Sequence, residues 1–366
     1  MFNIVFISIS VFAFALISQK NGCVKKPNIS SEIAPYAGVI SIIIPARNEE
    51  KRIGILLKSI NENNDNKLEI IVANDMSTDN TEEISKRHQA QVINIESKAQ
   101  DIKGKTNACD IGFKNSKGEI IIFLDADTIV EPKFIHKIRE LFSDIDQEVV
   151  TIQPKHRSKK FFEQLSLFFH ISSIVSTGVV STIPFGFGLY GPCIAMRRQI
   201  YETTNGFINT KVKNSIIEDV ALSIVMKTQK VSITRYLGDG LISYRMFENF
   251  STLFLGWKRN ISSGFRHAPF LPSLIIVLFY GSIISIPIEI YKETDKVKLY
   301  ILLGLFFISL LLLIRVANQI GNYFLVAIAY PLSLSFFIIV FSISVISKIF
   351  RLQTTWAGRK MNMDDQ

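Results

Sequence analysis

At 366 residues the chain is long enough for one large domain or two modest ones, and burying an ordinary core poses no difficulty. Hydrophobic residues make up 48% of it, Phe alone contributes 28, and the mean hydropathy is +0.27; this excludes both an ordinary soluble protein and one that is membrane throughout, and fits a soluble part with a few membrane helices. The net charge of +9 is carried by dispersed Lys and Arg with no aromatic-interleaved basic patch, which speaks against nucleic acid as a partner and for anionic lipid head groups.

The first predicted element is a charge-free apolar stretch over 2–19. It has no charged residues before it, and Ser18, Gln19, Lys20 and Asn21 do not form a small-residue cleavage pattern, so residues 1–20 read as an uncleaved membrane anchor, with a buried N-terminal helix as the alternative. Three more such stretches occupy 268–288, 299–314 and 323–347 within a C-terminal membrane region of 268–348, followed by a polar tail over 349–366. Their lengths suit a hydrocarbon core of about 30 Å crossed by about 20 helical residues, the 299–314 stretch being a little short. Lys20, Lys25 and Lys26 follow the first stretch and Lys258, Arg259 and Arg266 precede the second, which places the middle region on the cytoplasmic side of a cell membrane. Lys292, Lys296 and Lys298, and then Lys348, Arg351, Arg359 and Lys360, fit four full crossings poorly, so the multi-pass count stays at three or four. Cys23, Cys109 and Cys193 are scattered, with no CxxC or His/Cys cluster, as in a reducing compartment without structural zinc.

From residue 39 the pattern alternates. Strand-like runs at 39–45, 68–75, 91–96 and 119–127 are separated by helical ones at 48–61, 78–89 and 105–116. Continuous Ile/Val runs between amphipathic helices predict parallel strands buried on both faces, hence an α/β sheet of βαβ units with ligands at the carboxyl ends of the strands. "PARNEE", "NDMSTD" and "DADT" sit at those ends. The apolar stretch 166–183 carries His170 and many Ser and Thr, which suits a helix lying at the membrane surface better than a span.

Asp125 and Asp127 end the fourth strand-like run. Taken as extended chain, they point to one side with Ala126 behind, and two hard oxygen donors suit Mg²⁺ or Mn²⁺ already bound to phosphate; the alternative is a polar strand exit. Asp75 stands at the second strand tip, where a carboxylate can accept from a nucleobase N–H, while its neighbours Ser77 and Thr78 suit helix capping. "GKTNACDIG" resembles a phosphate loop, but Ala99 replaces the required Gly and Asp101 adds negative charge, so only a phosphate contact from Lys105 at a helix start survives. Glu218 and Asp219 open a helical run, as capping acids or with one as a general base. Trp257, Lys258 and Arg259 precede an apolar span, as an interfacial ring with snorkelling cations or as acceptor contacts.

In order, "IIIPARNEE", "ANDMSTDNT", "GKTNACDIG", "FLDADT", "GPCIAMRR", "IEDVALS" and "GWKRN" resemble the family 2 glycosyltransferases of GT-A fold, over a domain of 38–265. The anchor, "IIIPARNEEKRIG", the "GWxxxxSxG" stretch and the tail "WAGRK" are most similar to members that glycosylate a carotenoid carboxylic acid. The resemblance implies a Rossmann-like, mostly parallel sheet and a UDP-sugar donor, UDP-glucose, with an apolar carotenoid or lipid acceptor. It implies that Pro45, Glu49 and Asp75 line the nucleotide pocket, Lys105 and Asp125 lie at the diphosphate, Asp125 and Asp127 hold the divalent ion, Asp219 is the catalytic base and Trp257 and Arg259 serve the acceptor. Met76 departs from the family's usual Gly and Asp110 from its usual Asn, which puts the shape of the donor pocket in question. The QxxRW of processive polymer synthases is absent from the sequence. Rival readings are transfer to diacylglycerol, ceramide or polyprenyl phosphate, and a membrane nucleotide-binding scaffold without catalysis; the complete acidic set speaks against the scaffold, and uncharged spans against a transporter.

Overall fold

The Ile/Val runs build seven strands of one sheet, in a computed structural model that describes residues 2–19, 34–96, 102, 104–181, 188–215, 217–264, 269–350, 354–356 and 359–361. Lys20, Cys23, Lys25, Lys26, Ala99, Asp101, Arg266, Arg351 and most of the tail lie outside the described residues. The chain divides into two units: a sheet unit of Cys23–Lys155 and Phe187–Met246, and an apolar-helix unit of Met1–Gly22, His156–Gly186 and Phe247–Asp364. Residues 156–186 and 247–264 therefore group with the apolar helices, where the sequence pattern alone runs a single domain from 38 to 265.

In the sheet unit the strands are β1 (Ile40–Ala46), β2 (Leu68–Asn74), β3 (Gln91–Asn94), β4 (Ile120–Leu124), β5 (Thr128–Val130), β6 (Val149–Gln153), β7 (Cys193–Arg197), β8 (Ile233–Leu237) and β9 (Ile242–Tyr244). The main sheet runs β3-β2-β1-β4-β7-β6-β8. β1 pairs in parallel with β2 and β4, β2 with β3, and β6 with β8; only β7 runs antiparallel, against β4 and β6. The mostly parallel α/β sheet expected from the sequence is present. β5 and β9 form a separate antiparallel pair.

Both faces of the sheet are covered, as unbroken apolar strands require. Successive side chains alternate: Ile42 and Ile44 pack with Leu56, Leu57, Phe134 and Ile138, while Ile43, Ile121 and Phe123 pack on the other side with Phe113, Tyr201 and Phe207. Cys109 and Cys193 are free thiols within these layers. The Gly104–Lys114 helix lies so close to β1 that a Cβ on Gly112 would meet Ile43 Cγ2 at 2.4 Å, which explains why "CDIG" needs its glycine.

In the other unit three helices among the described residues are long and apolar enough to cross a membrane, Phe270–Lys292, Lys296–Ile320 and Tyr330–Ser347, and they point to membrane association. The 299–314 stretch, short by its apolar run, lies in the longest of them at 25 residues, because Asp295 caps that helix early by accepting from the Val297 and Lys298 N–H groups. Phe2–Ile17 is a 16-residue helix. The stretch expected on the membrane surface is instead a packed helix, Leu167–Ser176, with Leu167, Phe168, Ile171, Ile174 and Val175 wholly buried. Tyr280 explains part of this: its hydroxyl donates to the Phe168 carbonyl at 3.0 Å and lies 3.0 Å from Ser172 Oγ, so Ser172 meets protein while Ser173 stays exposed.

Candidate active site

The tips of β1 and β2 are laced together by short hydrogen bonds. Asp75 N–H donates to the Ala46 carbonyl at 2.8 Å, Thr78 N–H to Asn48 Oδ1 at 2.8 Å, Glu49 N–H to Thr81 Oγ1 at 2.8 Å and Glu50 N–H to Asp79 Oδ2 at 3.1 Å. The lacing delays both following helices, which begin at Ile53 and Thr81 rather than near 48 and 78. It also gives Asp79 a structural role, since its other oxygen accepts the Thr81 N–H. Asp75 is left at the tip, 5% exposed, with Arg47 Nη1 3.5 Å from Oδ2. Pro45 pairs in register with Ala73 one residue short of the tip.

Met76, next to Asp75, has φ of +52°, in the left-handed region. That is the conformation glycine takes without cost, which accounts for the glycine usual here in similar proteins; a residue with a Cβ pays about 1–2 kcal/mol. Met76→Gly is accordingly expected to melt no lower than the native chain, and Met76→Val lower by about 1–2 kcal/mol, because a β-branched side chain resists positive φ; thermal unfolding of the two variants checks this.

Asp125 and Asp127 do not lie on extended chain. β4 stops at Leu124, and residues 125–128 form a turn in which the Thr128 N–H and hydroxyl both donate to the Asp125 carbonyl, at 3.1 and 2.8 Å. A turn, not strand alternation, therefore sets the two carboxylates near enough for Asp125 to act on Asp127, with Ala126 in the core behind them as expected. Burial raises the pKa of both; repulsion from Asp125 helps lift Asp127 to about 7. Among the described residues Asp127 has no hydrogen-bonded or ion-pair partner.

Three further elements meet this turn. Lys105, in the first turn of the Gly104–Lys114 helix, places Nζ 2.8 Å from Asp125 Oδ1 and 2.9 Å from Glu218 Oε1. Burial pulls the Lys105 pKa down, but the two carboxylates outweigh it and hold the group an ammonium. Asp219, in the first turn of the Glu218–Thr228 helix, accepts the Val220 N–H on Oδ1 at 2.8 Å and the Gly191 N–H on Oδ2 at 3.0 Å. Part of the capping reading is thus correct, yet burial and the neighbouring Glu218 raise Asp219 to about 6. Glu49, raised mainly by burial, sits 3.4 Å from Arg52 Nη1, and its charge adds to the lift on Asp127.

Pro45, Glu49, Asp75, Lys105, Asp125, Asp127 and Asp219 all belong to the tips and helix starts of the sheet unit. Arg47, Arg52 and Gly191 are the additions that sequence reasoning passes over; Glu218, singled out beside Asp219 in "IEDV", is the member of that pair that meets Lys105. Trp257 and Arg259 lie on the Phe250–Gly264 helix of the apolar-helix unit. Trp257 is not an interfacial ring: it is 8% exposed, donates Nε1–H to Ser166 Oγ at 2.9 Å and stacks on Phe169 at 4.5 Å. Arg259 donates from Nε and Nη2 to Asn260 Oδ1. Asp110 meets Lys114 and Tyr201, at 2.7 and 3.4 Å.

Two carboxylates on one turn, mutually repelling, with one of them unpartnered among the described residues, fit a hard divalent cation that takes its remaining ligands from water and phosphate. Among the described residues no cluster of three or more His, Cys, Asp or Glu side chains forms an all-protein metal site.

The sequence pattern of glycosyl transferase family 2 covers residues 41–204. The 4,4'-diaponeurosporenoate glycosyltransferase of Staphylococcus haemolyticus (strain JCSC1435) is 34% identical over 257 residues, 67% of this chain and 67% of that one. Its namesake in Staphylococcus aureus (strain USA300) is 30% identical over 316 residues, 82% of each chain. The chain belongs to glycosyl transferase family 2. Among solved structures, the mannosyltransferase of Pyrobaculum calidifontis, in complex with GDP-Man and Mn²⁺, superposes with a TM-score of 0.53 at 14% identity, over 94% of this chain and 92% of that one. The fold of this family 2 glycosyltransferase is therefore GT-A, and the carboxylates at its strand tips occupy the end of the sheet where such folds bind ligands.

Proposed function

We propose that this glycosyltransferase is a multi-pass cell-membrane enzyme, its catalytic unit cytoplasmic, that moves glucose from UDP-glucose to the carboxyl group of a carotenoid acid and so forms a glycosyl ester in carotenoid synthesis. The observation that carries the reading is that Lys105 joins Asp125, whose charge acts on Asp127, to Glu218, the neighbour of Asp219, in a chain whose curated relatives are named for transfer to diaponeurosporenoate. Asp75 accepts the uracil imide N–H, Pro45 and Glu49 line the nucleotide, and Lys105 meets the diphosphate. A Mg²⁺ or Mn²⁺ held by Asp125 and Asp127 supplies stabilisation of the charge that grows on departing UDP. The acceptor oxygen attacks the anomeric carbon as the bond to phosphate breaks, the electron pair leaves on UDP, and the configuration inverts. Asp219 takes the acceptor's proton where there is one to take. On the apolar-helix unit, Arg259 offers a cation to an acidic acceptor and Trp257 acts indirectly, by fixing its helix.

The test offers labelled UDP-glucose to membranes containing the chain, with the carotenoid acid in one tube and diacylglycerol or ceramide in another. Label in the carotenoid is expected. Label only in the lipid would overturn the acceptor, and transfer from another nucleotide sugar but not from UDP-glucose would overturn the donor.

A further inference from the structure

Lys105 occupies the place in which a cation is wanted. Its ammonium sits 2.8 Å from Asp125 Oδ1, so one of the two cation-binding carboxylates is already neutralised by the protein's own positive charge. The same ammonium is 2.9 Å from Glu218 Oε1, a carboxylate that belongs to a different helix and is 15% exposed in its side chain. Lys105 itself is 39% exposed, so the tip of a long, flexible side chain rests between two partners rather than being locked in the core. A divalent ion arriving at Asp125 and Asp127 repels this ammonium, and driving it off Asp125 forfeits a favourable pairing with a carboxylate, a cost even for a partly exposed side chain. Glu218 removes that cost.

We propose that Lys105 is a built-in placeholder for the divalent cation and that Glu218 is the positioning residue onto which Lys105 is transferred when the cation binds. Glu218 thereby sets how easily the empty site accepts a metal, and it leaves Lys105 beside the site, ready for the donor's diphosphate. The inference rests on the cation reading of Asp125 and Asp127 and needs neither the sugar nor the acceptor.

The experiment is a Mn²⁺ titration of the detergent-solubilised full chain without nucleotide, following free Mn²⁺ by its paramagnetic resonance, for the native protein, Glu218→Gln, Lys105→Met and the double variant. Glu218→Gln is expected to weaken Mn²⁺ binding roughly fivefold, because Lys105 then stays on Asp125, a size within the usual coupling of residues in one ion-pair network. Lys105→Met is expected to tighten it. In the Lys105→Met background the Glu218→Gln change should shrink below about twofold, since there is no ammonium left to receive. An equal loss in both backgrounds would show that Glu218 attracts the metal directly and would overturn the proposal, as would a Glu218→Gln variant that binds Mn²⁺ as well as the native chain. No Mn²⁺ binding by the native chain, either alone or in a parallel titration with UDP present, would remove the cation site and the inference together. The expected pattern in a chain that glucosylates neither acceptor would sustain the inference and overturn the proposed reaction.

Discussion

Replacing Asp127 with Asn is expected to reduce sugar transfer about a thousandfold or more while leaving the fold intact, because the charge stabilisation lost is that of the leaving diphosphate. The two aspartates are not equivalent. Asp125 has Lys105 at 2.8 Å and keeps a counter-charge when the metal site is empty. Asp127 has no ion pair among the described residues, only the more distant charges of Arg52 and Lys105, and burial and the Asp125 charge still push its carboxyl up to about 7. Removing its charge relieves repulsion in the resting protein, so the variant should melt no lower than the native chain. It should nevertheless fail to hold Mn²⁺. The pH dependence has a definite sign: protons compete with the cation for Asp127, so metal affinity is present above about pH 7 and weakens as the pH falls through it. In the Asn variant that dependence should vanish with the binding. Initial rates in membranes carrying equal amounts of the two proteins, with Mn²⁺ titrations at several pH values, check each part; an Asp127→Asn variant with native transfer would sink the metal assignment.

Much of this site can be seen in the sequence because its residues stand next to strong local signals. The runs "VISIIIP", "LEIIVAND" and "EIIIFLDAD" have only one reading as buried parallel strands, and whatever polar groups follow them must crowd at one end of the sheet. The failures come where structure is set by partners far along the chain. β7 is a short run containing Cys and Met, and nothing local marks it as the antiparallel strand between β4 and β6. The break at Leu124 is hidden because "FLDAD" continues the strand pattern, and only the Thr128 contacts with the Asp125 carbonyl show the turn. Trp257 reads as interfacial because Lys258 and Arg259 follow it, yet Phe169 and Ser166, distant in sequence, bury it. Lys105 and Glu218 are each legible as candidates, but their pairing at 2.9 Å is not, because only the fold brings two helix starts distant in sequence together.

Asp219→Asn is expected to separate acceptors by their chemistry. An alcohol holds its proton far above neutral pH and must surrender it during attack, so transfer to a hydroxyl should fall by roughly 10²–10⁴ without the base. A carotenoid acid, with a carboxyl pKa of about 4–5, is already an anion at neutral pH and should lose less than about tenfold. Asp219 is suited to either role: raised to about 6, it is still mainly a carboxylate at pH 7 and is protonated below about 6. Two N–H groups, from Val220 and Gly191, donate to its two oxygens, and Asn has only one oxygen to offer them. The variant therefore leaves one N–H facing an amide NH₂, and some order is lost whatever the acceptor. Comparing two acceptors on the same variant cancels that loss, which is why the ratio of rates is the decisive quantity. The native pH profile, measured with Mn²⁺ kept saturating at every pH so that proton competition at Asp127 does not enter, supplies an independent check. With a hydroxyl acceptor the rate should decline as pH drops through about 6, following Asp219; with a carboxylate acceptor the decline should wait for the acceptor's own protonation, nearer 4–5. Near-total loss with the carotenoid acid in the Asn variant would show that Asp219 does more than accept a proton, and would overturn the proposal that an already ionised carboxylate is the nucleophile.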